Sequence, residues 1–168
     1  MEVVEEKVSA GSQIIIFSQF TTMLDLIKEA LEKRHIDYLM LTGQTKSEGR
    51  MAMVNQFNQD HIPVFLISLK AGGVGLNLVA ADTVIHYDPW WNISAQNQAT
   101  DRAHRIGQEK KVHVIKLIAK DTIEEKIEIL QNKKKNLTDA VISEGQTFIS
   151  SLDKKEIESL FDMNLPYA

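Results

Sequence analysis

The chain has 168 residues, 43% of them hydrophobic, which is enough for one domain with a packed core. Its formal net charge of -4 argues against a surface that binds polyanions everywhere, although a local basic strip remains compatible with it. Without cysteine there are no disulfides or thiolate metal sites, and no apolar run approaches the roughly 20 residues that span a bilayer. We therefore expect a soluble, intracellular protein with no membrane partner.

Segments with strand patterns alternate along the chain with segments that have helical periodicity. The apolar, β-branched runs predict strands at 14–17, 38–41, 64–67, 84–87 and 112–118. Helices are predicted at 21–34, around Met51, Val54 and Phe57, at 122–142 with Thr122 as N-cap, and at 154–161. This alternation predicts an α/β fold in which helices flank a parallel sheet, with a helical extension at the C-terminus.

Short polar segments directly follow the first four predicted strands, at 18–19, 42–44, 68–75 and 88–92. In open parallel sheets, ligands bind just outside the carboxyl ends of the strands. We therefore expect these segments to gather at one edge of the sheet and to form the ligand-binding surface.

The stretch 96–108 carries Gln98, Arg102 and Arg105 at Q-x-x-x-R-x-x-R spacing. Two arginines three residues apart on a helix share a face, and their guanidinium groups can grip a phosphate bidentately. The alternative is that both arginines make surface ion pairs with Asp101 or Glu109. The spacing alone does not decide between these interpretations.

Glycines at 72, 73 and 75 follow the third predicted strand and would let backbone N–H groups approach an anion closely. The loop lacks the G-x-x-x-x-G-K-[ST] pattern of a Walker A motif, and it could simply form a turn. Asp101 lies within a predicted helix and not at a strand end, so we reject it as a magnesium carboxylate. The five histidines, among them those at 35, 61 and 113, show no metal-ligand spacing, so we predict no metal site.

Trp90 and Trp91 follow the fourth predicted strand. They could be core aromatics, or one indole could stack on a base or brace the arginine segment. Both alternatives remain open.

Together these segments resemble the second RecA-like (P-loop NTPase type) lobe of superfamily-two helicase-like ATPases, in the switch/sucrose-non-fermenting family of DNA translocases and chromatin remodellers. In chain order, the matching segments are 15–20, Leu41-Thr42-Gly43 with Arg50, 67–78, 88–92 and 98–108. The last contains Arg-Ile-Gly-Gln, the signature most specific to this family, and 122–127 resembles the start of its brace helix.

The resemblance implies roles for individual residues. Arg102 and Arg105 would act as arginine fingers on the γ-phosphoryl group of ATP, Gln98 would help to position that group, and Gly73 and Gly75 would contact the nucleotide. The candidates for contact with DNA are Gln19, Thr42, Gly43, Ser68, Lys70 and Trp91. Contacts of this kind to phosphates position the duplex without reading its sequence.

The resemblance also implies the domain organisation. Residues 1–12 would end a preceding segment, 13–121 would form the RecA-like lobe, and 122–168 would form the brace helix and a helical tail. Because the Walker A lysine and the strand-ending acidic pair are missing from this sequence, a first lobe of the same polypeptide would hold most of the ATP and Mg²⁺.

The predicted function is therefore the second motor lobe of an ATP-dependent double-stranded DNA translocase, inactive without the first lobe. Its partners would be duplex DNA, that first lobe and a DNA-bound protein target. The alternatives are a non-enzymatic RecA-like binding or regulatory module and the second lobe of an RNA helicase. Compact spacing favours a prokaryotic protein in the cytoplasm, at the nucleoid; a eukaryotic one would be nuclear.

Overall fold

The computed structural model describes residues 1–72, 76–88, 93–103, 111–137 and 152–161. The strands are β1 (Ile14–Ser18), β2 (Tyr38–Leu41), β3 (Val64–Ser68), β4 (Thr83–His86) and β5 (His113–Lys116). The helices are α1 (Glu2–Ser9), α2 (Thr21–Glu32), α3 (Ser47–Gln59), α4 (Leu69–Gly72), α5 (Ile93–Thr100), α6 (Ile123–Leu137) and α7 (Lys154–Phe161). None of the helices in these segments is long and apolar enough to cross a membrane.

The five strands form one parallel sheet in the order β2-β3-β1-β4-β5, as the alternating pattern predicts. Ser18 at the end of β1 lies beside Ser68 at the end of β3, and Leu41 at the end of β2 lies beside Ile67. The carboxyl ends of the three adjacent strands therefore meet at one edge, which brings the segments that follow them together.

The run of apolar residues from Ile14 to Phe17 in β1 reflects burial on both faces of the sheet. Successive side chains of a strand point to opposite faces, so Ile15 and Phe17 enter one core cluster while Ile14 and Ile16 enter the other. The first cluster also contains residues of α3, including Phe57, and the second contains the apolar face of α2. These two cores fix the strand ends that carry the candidate site.

Helix α1 and strand β5 differ from the prediction. Residues 2–9, for which no element was predicted, form α1, and its Val4 packs in the same core cluster as Ile14. Strand β5 is shorter than the predicted 112–118, and its side chains are mostly exposed because it lies at the edge of the sheet. Residues 138–142 of the long predicted helix lie outside the described segments. The division at residues 12 and 121 stays a prediction.

Local capping fixes the starts of the two C-terminal helices. The Thr122 hydroxyl accepts a hydrogen bond from the Glu124 N–H at 3.3 Å, which confirms the predicted N-cap. Before α7, the Glu156 N–H donates to Asp153 while the Asp153 N–H donates to the Glu156 carboxylate, both at 2.8 Å. These reciprocal bonds explain why the predicted and observed bounds of α7 agree.

Candidate nucleic-acid interface and arginine segment

A groove of about 560 Å³ runs along the carboxyl ends of β1, β2 and β3. The residues that line it are Gln19, Thr21, Asp25, Met40, Thr42, Gly43, Gln44, Ser68 and Lys70. These include all the DNA-contact candidates that fall within the described residues. The structure thus brings these five residues together in one groove, although they are separated by up to about 50 positions in the sequence.

The residues that line the groove differ in their exposure to solvent. Lys70 and Gly43 are exposed, Gln19 and Thr42 are half-buried, and Ser68 is only 3% exposed. Lys70 supplies the positive charge among the lining residues, and Asp25 supplies a negative one. Lys70 and Gly43 are therefore the most accessible of the predicted DNA contacts, while Ser68 is buried.

The loop after β2 is held by its own hydrogen bonds. The Thr42 N–H donates to the Thr45 hydroxyl at 3.1 Å, and the Arg50 Nε–H donates to the Thr45 carbonyl at 2.9 Å. A methyl group added at Gly43 would meet nothing within 4 Å. Arg50 thus supports the loop through the Thr45 carbonyl, and the space next to the Cα of Gly43 is open.

The wall of the groove at Gln19 is fixed by Asp88, a residue to which we had assigned no role of its own. The Ser18 hydroxyl donates to Asp88 at 2.8 Å, and the Gln19 N–H donates to the same carboxylate at 3.0 Å. Burial raises the pKa of Asp88, while these hydrogen bonds oppose that rise. Asp88 therefore orients the residue that follows β1 from the end of the neighbouring strand.

The arginine segment departs from the predicted helix. Helix α5 ends at Thr100, and the next residues form a tight turn in which the Arg102 N–H donates to the Ala99 carbonyl at 3.2 Å. The Arg102 carbonyl accepts from the Leu78 N–H at 3.0 Å, which ties the turn to another segment. The expectation that Asp101 and Arg102 lie inside a helix is therefore wrong.

Burial separates Gln98 from Arg102. Gln98 is exposed on α5, whereas Arg102 is only 6% exposed, so Arg102 does not point at an open face of this chain. Helical spacing no longer applies once the helix has ended, and the turn carries Arg102 inward beside the buried Ala103. Arg105, Gly73, Gly75 and Trp91, with Trp90, lie outside the described residues.

Residues 1–107 match the family model described as the helicase conserved C-terminal domain. This chain belongs to that family. Its structural neighbours include SWI2/SNF2 ATPase cores.

The relatives of this helicase C-terminal domain are longer proteins. It is 43% identical over 163 residues to an uncharacterized ATP-dependent helicase of Mycoplasma genitalium, covering 96% of this chain and 16% of that protein. It is 46% identical over 153 residues to the human chromatin-remodeling ATPase INO80, covering 90% of this chain and 10% of that protein. The chain thus spans about a sixth or less of the length of these relatives.

Two solved structures from Sulfolobus solfataricus resemble the domain at 35% sequence identity. One is a SWI2/SNF2 ATPase core domain, with a TM-score of 0.78 over 99% of this chain and 34% of that one. The other is the same kind of core in complex with double-stranded DNA, with a TM-score of 0.76 over 98% of this chain and 35% of that one. These matches confirm the RecA-like fold.

The domain also contains a buried histidine, His86, for which the sequence predicted no role. His86, at the end of β4, is 1% exposed, and its Nε2 lies 3.0 Å from the Thr100 hydroxyl at the end of α5. Burial, with a smaller effect of the Lys116 ammonium group, lowers the pKa of His86 to about 4. The imidazole is therefore neutral near pH 7. The sequence feature that could have indicated this buried histidine is a polar residue within a predicted strand.

The histidines at 35, 61 and 113 are exposed. His35 and His61 follow α2 and α3 with φ of 55° and 53°, a left-handed conformation typical of residues that end helices. Among the described residues, no three His, Cys, Asp or Glu side chains lie close enough to hold a metal ion.

Proposed function

We propose that this domain is the second motor lobe of an ATP-dependent double-stranded DNA translocase. The supporting observation is the groove, where five candidate DNA contacts at the carboxyl ends of three strands line one surface at the edge of the sheet. One structural neighbour is a SWI2/SNF2 core in complex with double-stranded DNA, which supports duplex DNA as the ligand. The groove would form part of a track that follows one strand of the duplex through its phosphates.

We propose that the arginine segment acts on ATP bound mainly by a preceding lobe of the same polypeptide, together with its Mg²⁺. The guanidinium of Arg105 would stabilise the charge that develops on the γ-phosphoryl group, and Gln98, exposed on α5, would help to position that group. Gly73 and Gly75, which follow α4 in the sequence, would contact the nucleotide. Arg102 could reach a phosphate only after a rotamer change, because it is 6% exposed in this chain alone.

The arginine role is tested in the complete two-lobe protein. We expect Arg105→Ala to lower DNA-stimulated ATP hydrolysis about a thousandfold or more, as for other arginine fingers. Arg34→Ala is the matched control, since Arg34 is an exposed arginine paired with Glu5 at the end of α2. Near-normal turnover in the Arg105 variant would contradict the proposal, and strong ATPase activity from the 168 residues alone would contradict the need for a first lobe.

The DNA role is tested by two changes in the groove. Lys70→Ala removes a charge, and Gly43→Ala adds a methyl group that meets nothing within this chain. We expect both to raise the duplex concentration needed for half-maximal stimulation of the ATPase. The control is Lys28→Ala, an exposed lysine paired with Glu32 on α2. Stimulation by single-stranded RNA but not by duplex DNA would instead support the RNA-helicase alternative, and no ATPase at all would support a non-enzymatic module.

A further inference from the structure

His86 joins the two halves of the proposed site. Its ring stacks on Phe17 of β1, with 5.6 Å between ring centroids and 18° between planes. Phe17 lies two residues before Gln19 in the groove wall, and His86 lies two residues before Asp88, which holds that wall. On its other side, the imidazole contacts Thr100, two residues before Arg102.

The hydrogen bond between His86 and Thr100 is the polar contact that connects β4 to the end of α5. The His86 end of the bond is held by β4, which pairs with β1 and β5 on its two sides, and the residues around the Thr100 end include the buried Ala99 and Ala103. Within the described part of the chain, the His86 Nδ1 is buried and has no hydrogen-bond partner. A buried N–H without an acceptor costs more than a buried acceptor without a donor, so the proton belongs on Nε2, which donates to the Thr100 hydroxyl.

We propose that His86 is a positioning residue that sets the arginine segment relative to the DNA groove through its bond to Thr100. The proposal rests on the function proposed above. A rigid stack joins the groove wall to His86, and a single hydrogen bond joins His86 to the last residue before the arginine turn. Losing that bond leaves the groove and the sheet in place but lets the end of α5 shift, and displacements of about 1 Å at a reacting group cost large factors in rate.

The test uses the two-lobe protein and removes each partner of the bond with little change in volume. His86→Phe keeps a ring to stack on Phe17, and Thr100→Val keeps the branched side chain without the hydroxyl. We expect each to lower kcat of DNA-stimulated hydrolysis about tenfold, while KM for ATP and the duplex concentration at half-stimulation stay within about twofold. The double variant should be no worse than either single one, because both remove the same bond.

Two controls separate positioning from stability. Thr83→Val also removes a buried hydroxyl from β4, where it donates to Asp82 at 3.0 Å at the opposite edge of the sheet, and it should leave kcat unchanged. Thr100→Ser retains the hydroxyl and should keep most of the activity. Melting temperatures for all variants establish that the protein is folded at the assay temperature.

The outcomes distinguish this inference from the proposed function. If Arg105→Ala abolishes turnover while His86→Phe and Thr100→Val match wild type, the positioning role is wrong and the motor role stands. Multiplicative losses in the double variant, or equal losses in Thr83→Val, would also overturn the positioning role. If Arg105→Ala turns over normally, the proposed function itself fails.

Discussion

Burial keeps the His86 imidazole neutral, and this makes the stability of the chain depend on pH. The pKa of His86 falls from 6.5 to about 4 on folding, so below pH 6.5 the unfolded chain binds a proton that the folded chain does not. The free energy of unfolding should therefore decrease as the pH drops, by roughly 2 kcal/mol between pH 7 and pH 5 from this residue.

Urea unfolding of the chain at pH 7 and pH 5 measures this effect. His86→Phe should lose less stability than wild type over that interval, because it has no proton to take up. His113→Gln, which changes an exposed histidine, should follow wild type. Equal pH dependence in wild type and His86→Phe would show that His86 is not held neutral by the fold.

The DNA-contact candidates in the groove could be predicted from the sequence because each lies at or just after the end of a strand and parallel strands end at the same edge. Asp88 and His86 could not be assigned their roles in this way. The bond from Ser18 to Asp88 spans 70 residues, and the bond from His86 to Thr100 depends on how α5 packs over β4. No local pattern encodes which buried polar groups pair across the sheet, since tertiary packing selects them.

At the scale of elements, helix starts that are capped by nearby side chains could be predicted, whereas a helix end that is set by tertiary contacts could not. Thr122 and the Asp153–Glu156 pair define helix starts from side chains within a few residues. The end of α5 is set by a tertiary contact instead. The Leu78 N–H donates a hydrogen bond to the Arg102 carbonyl and holds the chain in a turn. The arginine spacing looked helical, but the chain leaves the helix before reaching Arg102.

Helices α6 and α7 form a separate, small core. Ile127 and Leu160 are its buried residues, and Ile123, Leu130 and Leu152 pack around them. Because few apolar contacts among the described residues hold this pair, we expect their amides to exchange with solvent faster than those of β1 and β3.

Hydrogen–deuterium exchange tests this with two variants of α7. Leu160→Ala should speed exchange throughout α6 and α7 without changing β1, since it removes one of the two buried residues of that cluster. Phe161→Ala is the control, because Phe161 is 71% exposed. Faster exchange in the central strands of the Leu160 variant would show that α6 and α7 unfold together with the sheet.

For the molecule as a whole, charge limits how DNA can be bound. The chain carries a net charge of -4, and Lys70 is the cation among the groove residues. Each phosphate neutralised contributes a slope of about -0.9 to a plot of log K against log salt concentration. The isolated domain should therefore bind duplex DNA weakly, with a slope of roughly -1 to -2.

Fluorescence anisotropy with a labelled duplex at several salt concentrations gives this slope. Lys70→Gln should make it shallower by about one unit, whereas Lys28→Gln should leave it unchanged. A slope steeper than about -5 in the wild-type chain would indicate a broad basic surface that the groove does not account for.

The parallel arrangement of β1 between β3 and β4 has a mechanical consequence. Five residue pairs join β1 to β3 and four join it to β4, and the groove wall at Gln19 continues directly from the end of β1. A pulling force applied at Gln19 along the strand would load the evenly spaced ladder bonds on both sides together, in shear, instead of opening them one at a time. In the proposed motor lobe, this arrangement would transmit tension from the duplex into the central strand through both ladders at once.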